Sequence, residues 1–385
     1  MKKYLLLILC FACQSLYAVK ITHGPYICDM DSSSVTIVWI TDKPGLSWVE
    51  YDVDGEDHFY AKERIKVYDV RHGRRILTDT VHQVRITGLT PDTRYRYRVL
   101  TKEVATWSIR NILTYGGTAD SGVYKKEPYR FKTFPTTRDS LTFVVYNDIH
   151  ERAADLKEMS RNIDFDKVDF VVLNGDMQHS VESQDQICRS FLDTCVSMFA
   201  SRIPVFMVRG NHETRGKFAD SYMRYFPMGN DYYYVRTISG IDFLMLDSGE
   251  DKPDSDFEYN EIADFDNYRV KEAEWIASLA ETGRIGKRPL IVFSHIPFFE
   301  ATWHGNLHLI ETILPVLNNL HVSVMFSGHT HRHGYTAPDE KIFFPNLTNS
   351  NTSYLLCHII KNKIEVDYVC DSNGKNNKHF TFPLQ

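Results

Sequence analysis

Five short motifs in the middle of the chain carry side chains that can bind divalent cations: Asn147-Asp148-Ile149-His150, Asn174-Gly175-Asp176, Gly210-Asn211-His212-Glu213, Ser294-His295 and Gly328-His329-Thr330-His331. Each follows, directly or after one residue, an apolar run of strand length: Leu141 to Tyr146, Val168 to Leu173, Ile203 to Val208, Leu290 to Phe293 and Val322 to Phe326. A lone Gly-Asp or His-x-His is ordinary turn or surface chemistry. Repeated in this order after strands, the motifs put carboxylate, imidazole and amide oxygen where open α/β sheets collect ligand groups, at the carboxyl ends of strands. Such donors suit hard-to-borderline divalent metals, and two ions need about seven or eight of them, including a bridging carboxylate. The candidates are Asp148, His150, Asp176, Asn211, His295, His329 and His331. Glycines ahead of Asp176, Asn211 and His329 let the backbone turn sharply. A sixth run, Ile241 to Leu246, ends in Asp247-Ser248 and reads as structural rim.

Other polar residues surround this set. His304, in Trp303-His304-Gly305, is a candidate acid or phosphate donor, with an exposed loop histidine as the alternative. Arg215, four residues after Asn211, is a candidate bidentate clamp for a substrate phosphate or a member of a surface ion pair. Glu213 suits orientation of a neighbouring imidazole, and His333 reads as solvated loop. The acid-rich segment from Glu250 to Asp266 reads as an exposed loop near the mouth of the site.

The elements that must position these groups follow from composition and periodicity. The chain has 385 residues, 43% of them apolar, which suits two domains with sizeable cores. Its formal charge is -6, from 44 basic and 50 acidic residues, and the first 18 residues contribute two lysines and no acid. This excludes a general nucleic-acid binder, which draws affinity from clustered Lys and Arg. Residues 1–18 read as a secretory signal: Lys2 and Lys3, an apolar run from Leu5 to Ala12, then Leu16-Tyr17-Ala18 before Val19. That run is too short to span a bilayer, and no other segment looks transmembrane. A secreted or periplasmic location is therefore expected. Lipid attachment at Cys13 is the alternative, although Cys10 stands where an aliphatic residue is usual. Cys28, Cys188, Cys195, Cys357 and Cys370 remain after processing, an odd set that makes no disulfide framework. Cys188 and Cys195 lie seven apart on an expected helix, about 10 Å and too far to bond.

Residues 19–135 read as all-β. Ser34 to Ile40 is β-branched and aromatic, Val81 to Ile86 alternates, and Tyr95, Tyr97 and Val99 share one face of a half-buried strand. Leu89-x-Pro91-x-Thr93-x-Tyr95 resembles the tyrosine corner of fibronectin type III sandwiches, whose hydroxyl bonds back to the turn. Lys102 to Lys126 reads as a long loop or hairpin, and Phe134 to Asp139 as a linker. From residue 140 to 385, strand runs alternate with amphipathic stretches at Ala153–Ile163, Val181–Ala200, Asn267–Ala280 and Leu307–Leu317, which predicts a layered α/β domain. Lys341–Phe344, Tyr354–Ile360, Lys363–Val369 and His379–Phe382 read as strands without helices between them. They either complete a second sheet or extend the first.

Asp-x-His, Gly-Asp, Gly-Asn-His-Glu, His and Gly-His-x-His, in that order, resemble the calcineurin-like metallophosphoesterase superfamily over about Leu141 to His333. The preceding sandwich is similar to the N-terminal domain of purple acid phosphatases. The resemblance implies an N-terminal all-β fibronectin type III-like sandwich followed by an α/β metallophosphoesterase domain layered α/β/β/α. It implies two divalent or trivalent metal ions, Mn, Fe or Zn. Asp148, His150 and His331 would hold the first, Asn211, His295 and His329 the second, and Asp176 would bridge them. It further implies that His212 protonates the leaving oxygen, that Asn211 contacts substrate, and that a metal-bridging hydroxide attacks phosphorus. There are two departures. His179 occupies the position of the metal-bound tyrosine of purple acid phosphatases, so their tyrosinate-iron colour should be absent, and those enzymes lack the histidine at His150. In relatives of the protein-phosphatase type an aspartate supports the acid from the His179 position. The activity implied is a secreted phosphomonoesterase acting on a phosphate ester. A phosphodiesterase acting on nucleotides or lipid headgroups, and a non-catalytic adhesion or glycan-binding protein with an inert metal site, are the alternatives.

Overall fold

The structure is a computed structural model that describes residues 18–122, 124, 126–229, 231–298, 302–370 and 376–385. The expected leader, up to Tyr17, lies outside the described residues. Apolar runs rich in β-branched residues become strands, and many are buried along their whole length. All eight residues of Ser34–Thr41 are buried, as are all of Phe170–Asn174 and Val322–Ser327. A strand shows that pattern when both of its faces are covered.

The largest sheet has nine strands in the order Lys378–Pro383, Lys363–Val369, Tyr354–Ile360, Ser140–Tyr146, Phe170–Asn174, Val205–Val208, Ile21–Cys28, Ser34–Thr41 and Val81–Thr87. A six-stranded sheet runs Tyr234–Ile238, Ile241–Met245, Leu290–Phe293, Val322–Ser327, Asn346–Thr348 and Gly334–Thr336. The two pack face to face through aromatic rings. Phe143 lies edge-on to Phe243, Phe293 and Phe326 at 5.8 to 6.2 Å. Burial of each such ring stabilises by about 1.5–3 kcal/mol. Helices Phe265–Glu281, His304–Thr312 and Leu314–Asn318 contribute to a separate core with the six-stranded sheet.

The C-terminal strands extend the first sheet, with Tyr354–Ile360 antiparallel to Ser140–Tyr146. Lys341–Phe344 is not a strand, contrary to expectation. The ladder to Val322–Ser327 opens at the Pro345 carbonyl, which accepts from Met325 N at 2.9 Å, and the strand is Asn346–Thr348. Proline has no N–H to give and is tolerated at such a strand start.

The second sandwich sheet is Tyr129–Lys132, Arg94–Trp107, Gly45–Val53 and Ile65–Tyr68, with Leu113–Asp120 hairpinned onto Arg94–Trp107. The tyrosine corner is present: the Tyr95 hydroxyl accepts from Thr90 N at 2.9 Å. The fully buried Trp39 donates its Nε1–H to Thr101 Oγ1 at 2.9 Å. The sandwich is not a free-standing module. Cys28 pairs in parallel with Val205, and Phe134, read as linker, is buried edge-on to Phe170 at 6.1 Å. Gln184–Ile187 opens a helical stretch that widens into π turns at Cys188–Leu192 and Val196–Ala200. Cys188 and Cys195 on it are buried, unbonded thiols. Among the described residues, no helix is long and apolar enough to cross a membrane.

Candidate metal centre

Ser140–Tyr146, Phe170–Asn174 and Val205–Val208 run parallel in one sheet, and Ile241–Met245, Leu290–Phe293 and Val322–Ser327 run parallel in the other. Their carboxyl ends deliver the chemistry. Donor atoms of Asp148, His150 and His331 lie within 4.8 Å of one another, as do those of Asp176, His295 and His329. Asn211 Oδ1 is 3.0 Å from His329 Nδ1. One carboxylate oxygen faces both groups: Asp176 Oδ2 is 3.0 Å from His295 Nε2 and 3.9 Å from His150 Nε2.

The backbone around these donors is unusual. Asp148, His150, Asp176, His329 and His331 all have φ between +46° and +68°, a region that non-glycine residues visit at a cost. Tertiary hydrogen bonds hold them there. Asp148 N donates to the Gly175 carbonyl and His150 N to the Asp176 carbonyl, each at 3.0 Å. The sharp turn expected of the glycines is found at Gly175, with φ +84°. Gly328 is needed for a different reason, since a Cβ there would lie 2.7 Å from Asp148 Oδ2.

The electrostatics focus positive charge between Asp148 and Asp176. Burial pushes both carboxyls up, but the His295 charge and hydrogen bonds more than offset it and hold both below the ordinary range. Burial works against a charge on His295, yet Asp176 and Asp148 raise its pKa to about 10. Its Nδ1 donates to the Asn174 carbonyl at 2.8 Å, fixing the ring. His329 is pushed down to about 4 by burial and by the His295 charge, so it stays a neutral donor. Asp148 Oδ1 and His295 Nε2 are buried without hydrogen-bond partners. Both atoms face only other members of an oxygen and imidazole set, and a cation there would displace the His295 proton and satisfy them.

Residues around this set depart from expectation in several places. Glu213 orients no imidazole; its carboxylate accepts from the backbone N–H groups of Asp176, Met177, Gln178 and Gly210 at 2.7 to 3.2 Å. It braces the loop that carries Asp176, and burial raises its pKa to about 7. Arg215 is not an open phosphate clamp. Its fork is filled by the buried Glu250 through two 2.7 Å bonds, and Nη1 lies 3.5 Å from His212 Nε2. His304 is not brought to the cluster. Its Nε2 sits 2.9 Å from both oxygens of Asp266 and its ring stacks on His308, so that nitrogen is unavailable as an acid or phosphate contact. The acid-rich segment is also not wholly exposed. Glu250 is buried, and Asp251 Oδ2 reaches within 3.8 Å of His329 Nε2. His212 does join the set, with Nε2 3.8 Å from Asp176 Oδ2 and Nδ1 2.8 Å from the His179 carbonyl.

Sequence reasoning missed the supporting residues. Asn349 Nδ2 donates to Asn147 Oδ1, and Asn147 Nδ2 to Asp148 Oδ2, at 2.6 and 2.5 Å. His179 stacks on His150 at 4.9 Å and forms a third close group with His150 and His212. The asparagine beside Asp148 was the only local sign of the first chain of bonds.

The sheets, the strand-end loops and the donor set define a metal-dependent phosphoesterase, and the chain belongs to the calcineurin-like phosphoesterase family, which it matches over residues 141–333. Residues 27–114 match the purple acid phosphatase N-terminal domain. Among solved structures, purple acid phosphatase PPD1 from yellow lupin (Lupinus luteus) seeds aligns at 13% identity with a TM-score of 0.62, over 93% of this chain and 73% of that one. Yfce, a phosphoesterase from E. coli, aligns at 11% identity with a TM-score of 0.28, over 58% of this chain and 91% of that one. The first likeness establishes a common fold. No curated protein matches the sequence.

Proposed function

We propose that this protein is a secreted phosphomonoesterase with a dinuclear metal centre. In this reading the leader ends at Ala18, residues 19–135 form the sandwich and residues 140–385 the catalytic domain. One observation carries the metal reading: seven donors from five strand ends converge, and two of their buried atoms, Asp148 Oδ1 and His295 Nε2, make no hydrogen bond and face only other members of the set. Asp148, His150 and His331 would hold one ion, Asn211, His295 and His329 the other, with Asp176 shared. When bound, Mn, Fe or Zn ions supply Lewis acidity toward phosphoryl oxygens and lower the pKa of water.

The chain's own groups do the rest. A carbonyl can only accept, so His212 Nδ1 carries the proton shared with His179 O, and Nε2 is the atom that can hold or give a proton at the leaving oxygen. Glu213 fixes the backbone that aims Asp176, and the Asn211 amide serves both metal and substrate. Kinship to the purple acid phosphatase N-terminal domain and fold supports a monoester over a diester. The test is reconstitution of the metal-stripped protein with Mn, Fe or Zn, followed by rates on an aryl phosphate and a bis-aryl phosphate. Restored turnover with the monoester ahead is expected. A faster diester rate would replace monoesterase by diesterase, and no turnover of either at full metal occupancy would refute the enzyme reading.

A further inference from the structure

Beside the metal-facing loops lies a cavity of about 710 Å³, a size typical of ligand pockets. Thr214, Arg215 and Glu250 form its wall next to the centre, and Tyr232, Phe265 and Tyr268 supply aromatic wall. Arg209 lies among these rings, its guanidinium carbon 3.9 Å from the Tyr232 ring centre, 5.8 Å from Tyr268 and 6.0 Å from Phe265. Its charge is neutralised by the fully buried Asp247, at 2.6 Å. Two polar atoms of the lining are buried without partners, Arg209 Nε and the Tyr268 hydroxyl.

One wall residue of the cavity touches the proposed acid. Arg215 is part of its wall, and Arg215 Nη1 is 3.5 Å from His212 Nε2, the atom assigned above to the leaving oxygen. The lining also sets the carboxylates Asp220, Glu258 and Asp264 against Lys271 and the already paired Arg209 and Arg215, with Glu258 paired to Lys252, a balance that gives a second anionic group no excess positive charge to meet. We propose that this cavity is the leaving-group pocket of the phosphoesterase and accepts an uncharged planar aromatic leaving group. The inference rests on the phosphoesterase reading and deepens it. In the reaction, the bond between phosphorus and the aryl oxygen breaks and a bond from phosphorus to a water oxygen forms. The aryl oxygen takes the proton held at His212 Nε2, and the water's proton leaves to solvent. Stacking on Tyr232, Phe265 or Tyr268 holds the ring.

The experiment compares kcat/KM for naphthyl phosphate and glycerol phosphate in the metal-loaded full chain and in three variants. Comparing their ratio between parent and variant cancels the intrinsic difference between the two esters. Ala263→Trp enlarges a small wall residue so that it fills the cavity, Tyr268→Ala removes a ring, and Tyr268→Phe removes only the hydroxyl. The expected result is a naphthyl-to-glycerol ratio about tenfold lower in the first two and unchanged in Tyr268→Phe, which keeps the ring, with metal content unchanged. A ratio unchanged in both Ala263→Trp and Tyr268→Ala, or an equal fall on both esters, would overturn the pocket assignment while leaving the phosphoesterase intact. Absence of turnover on either ester by the parent protein would instead refute the enzyme reading and this inference with it.

Discussion

Both halves of the chain place non-glycine residues in left-handed backbone conformations at exposed turns, Asn260, Glu261 and Lys361 among them in the second half, but that half also does so at its buried donor residues. In the sandwich His72, Asp92 and Asn111 do so at exposed turns, where short polar side chains make the conformation cheap. Asp29 is a buried exception, gripped by Arg85 and Arg236. In the catalytic half the same conformation falls on Asp148, His150 and Asp176, all buried. There the surroundings impose it: Glu213 takes up four backbone N–H groups, and the neighbouring loops bond to each other. Strain of about 1–3 kcal/mol per residue persists only where the rest of the fold over-determines it. Polar satisfaction runs in parallel. The sandwich pairs Trp39 with Thr101, Tyr95 with Thr90 and the Tyr97 hydroxyl with the Ser201 carbonyl and leaves His82 Nδ1 and Arg96 Nε scattered without hydrogen bonds, whereas the centre gathers its unbonded atoms, Asp148 Oδ1 and His295 Nε2, in one donor set. One region stabilises the fold, and the other draws on that stability to keep donors waiting for a ligand.

That contrast can be broken by experiment. Asp176→Asn keeps an oxygen for the His212 N–H but removes the shared charge. The expected outcome is a kcat reduced roughly 100- to 1,000-fold, about 3–4 kcal/mol, with an unchanged circular dichroism spectrum. Loss of the fold instead would show that the centre is structural.

A smaller effect is expected in the sandwich and depends on pH. His82 is 1% exposed, packs on Trp39 and bonds Thr41 Oγ1 through Nε2, and burial pushes its pKa down to about 4. Unfolded, it takes a proton near 6.5. Between those values the unfolded chain binds more protons, so stability falls as pH drops from about 6.5 to about 4, by about 3 kcal/mol in all. Urea midpoints across that range should show the decline in the parent protein and a shallower one in His82→Gln. Parallel slopes would mean that the histidine is solvated in solution. The smallest effect belongs to Tyr95→Phe, which removes only the corner hydrogen bond. It should cost about 1 kcal/mol in denaturant unfolding and leave kcat unchanged; a change in turnover would show that the sandwich and the centre are energetically coupled.

The sequence by itself determined what depends on near neighbours along the chain. Apolar runs set the strands, the Leu-x-Pro-x-Thr-x-Tyr pattern set the corner at Tyr95, and the residue types after each run set which donors sit at the strand ends. Only the tertiary structure decided which partner each polar group meets. Glu213 serves backbone amides rather than an imidazole, Arg215 is taken by Glu250 35 positions away, and His304 by Asp266. Ile21–Cys28 joined the catalytic sheet beside Val205–Val208 for a similar reason. Periodicity reports which face of an element is buried, whereas a hydrogen bond or an ion pair is won by whichever group the packed sheets bring within about 3 Å.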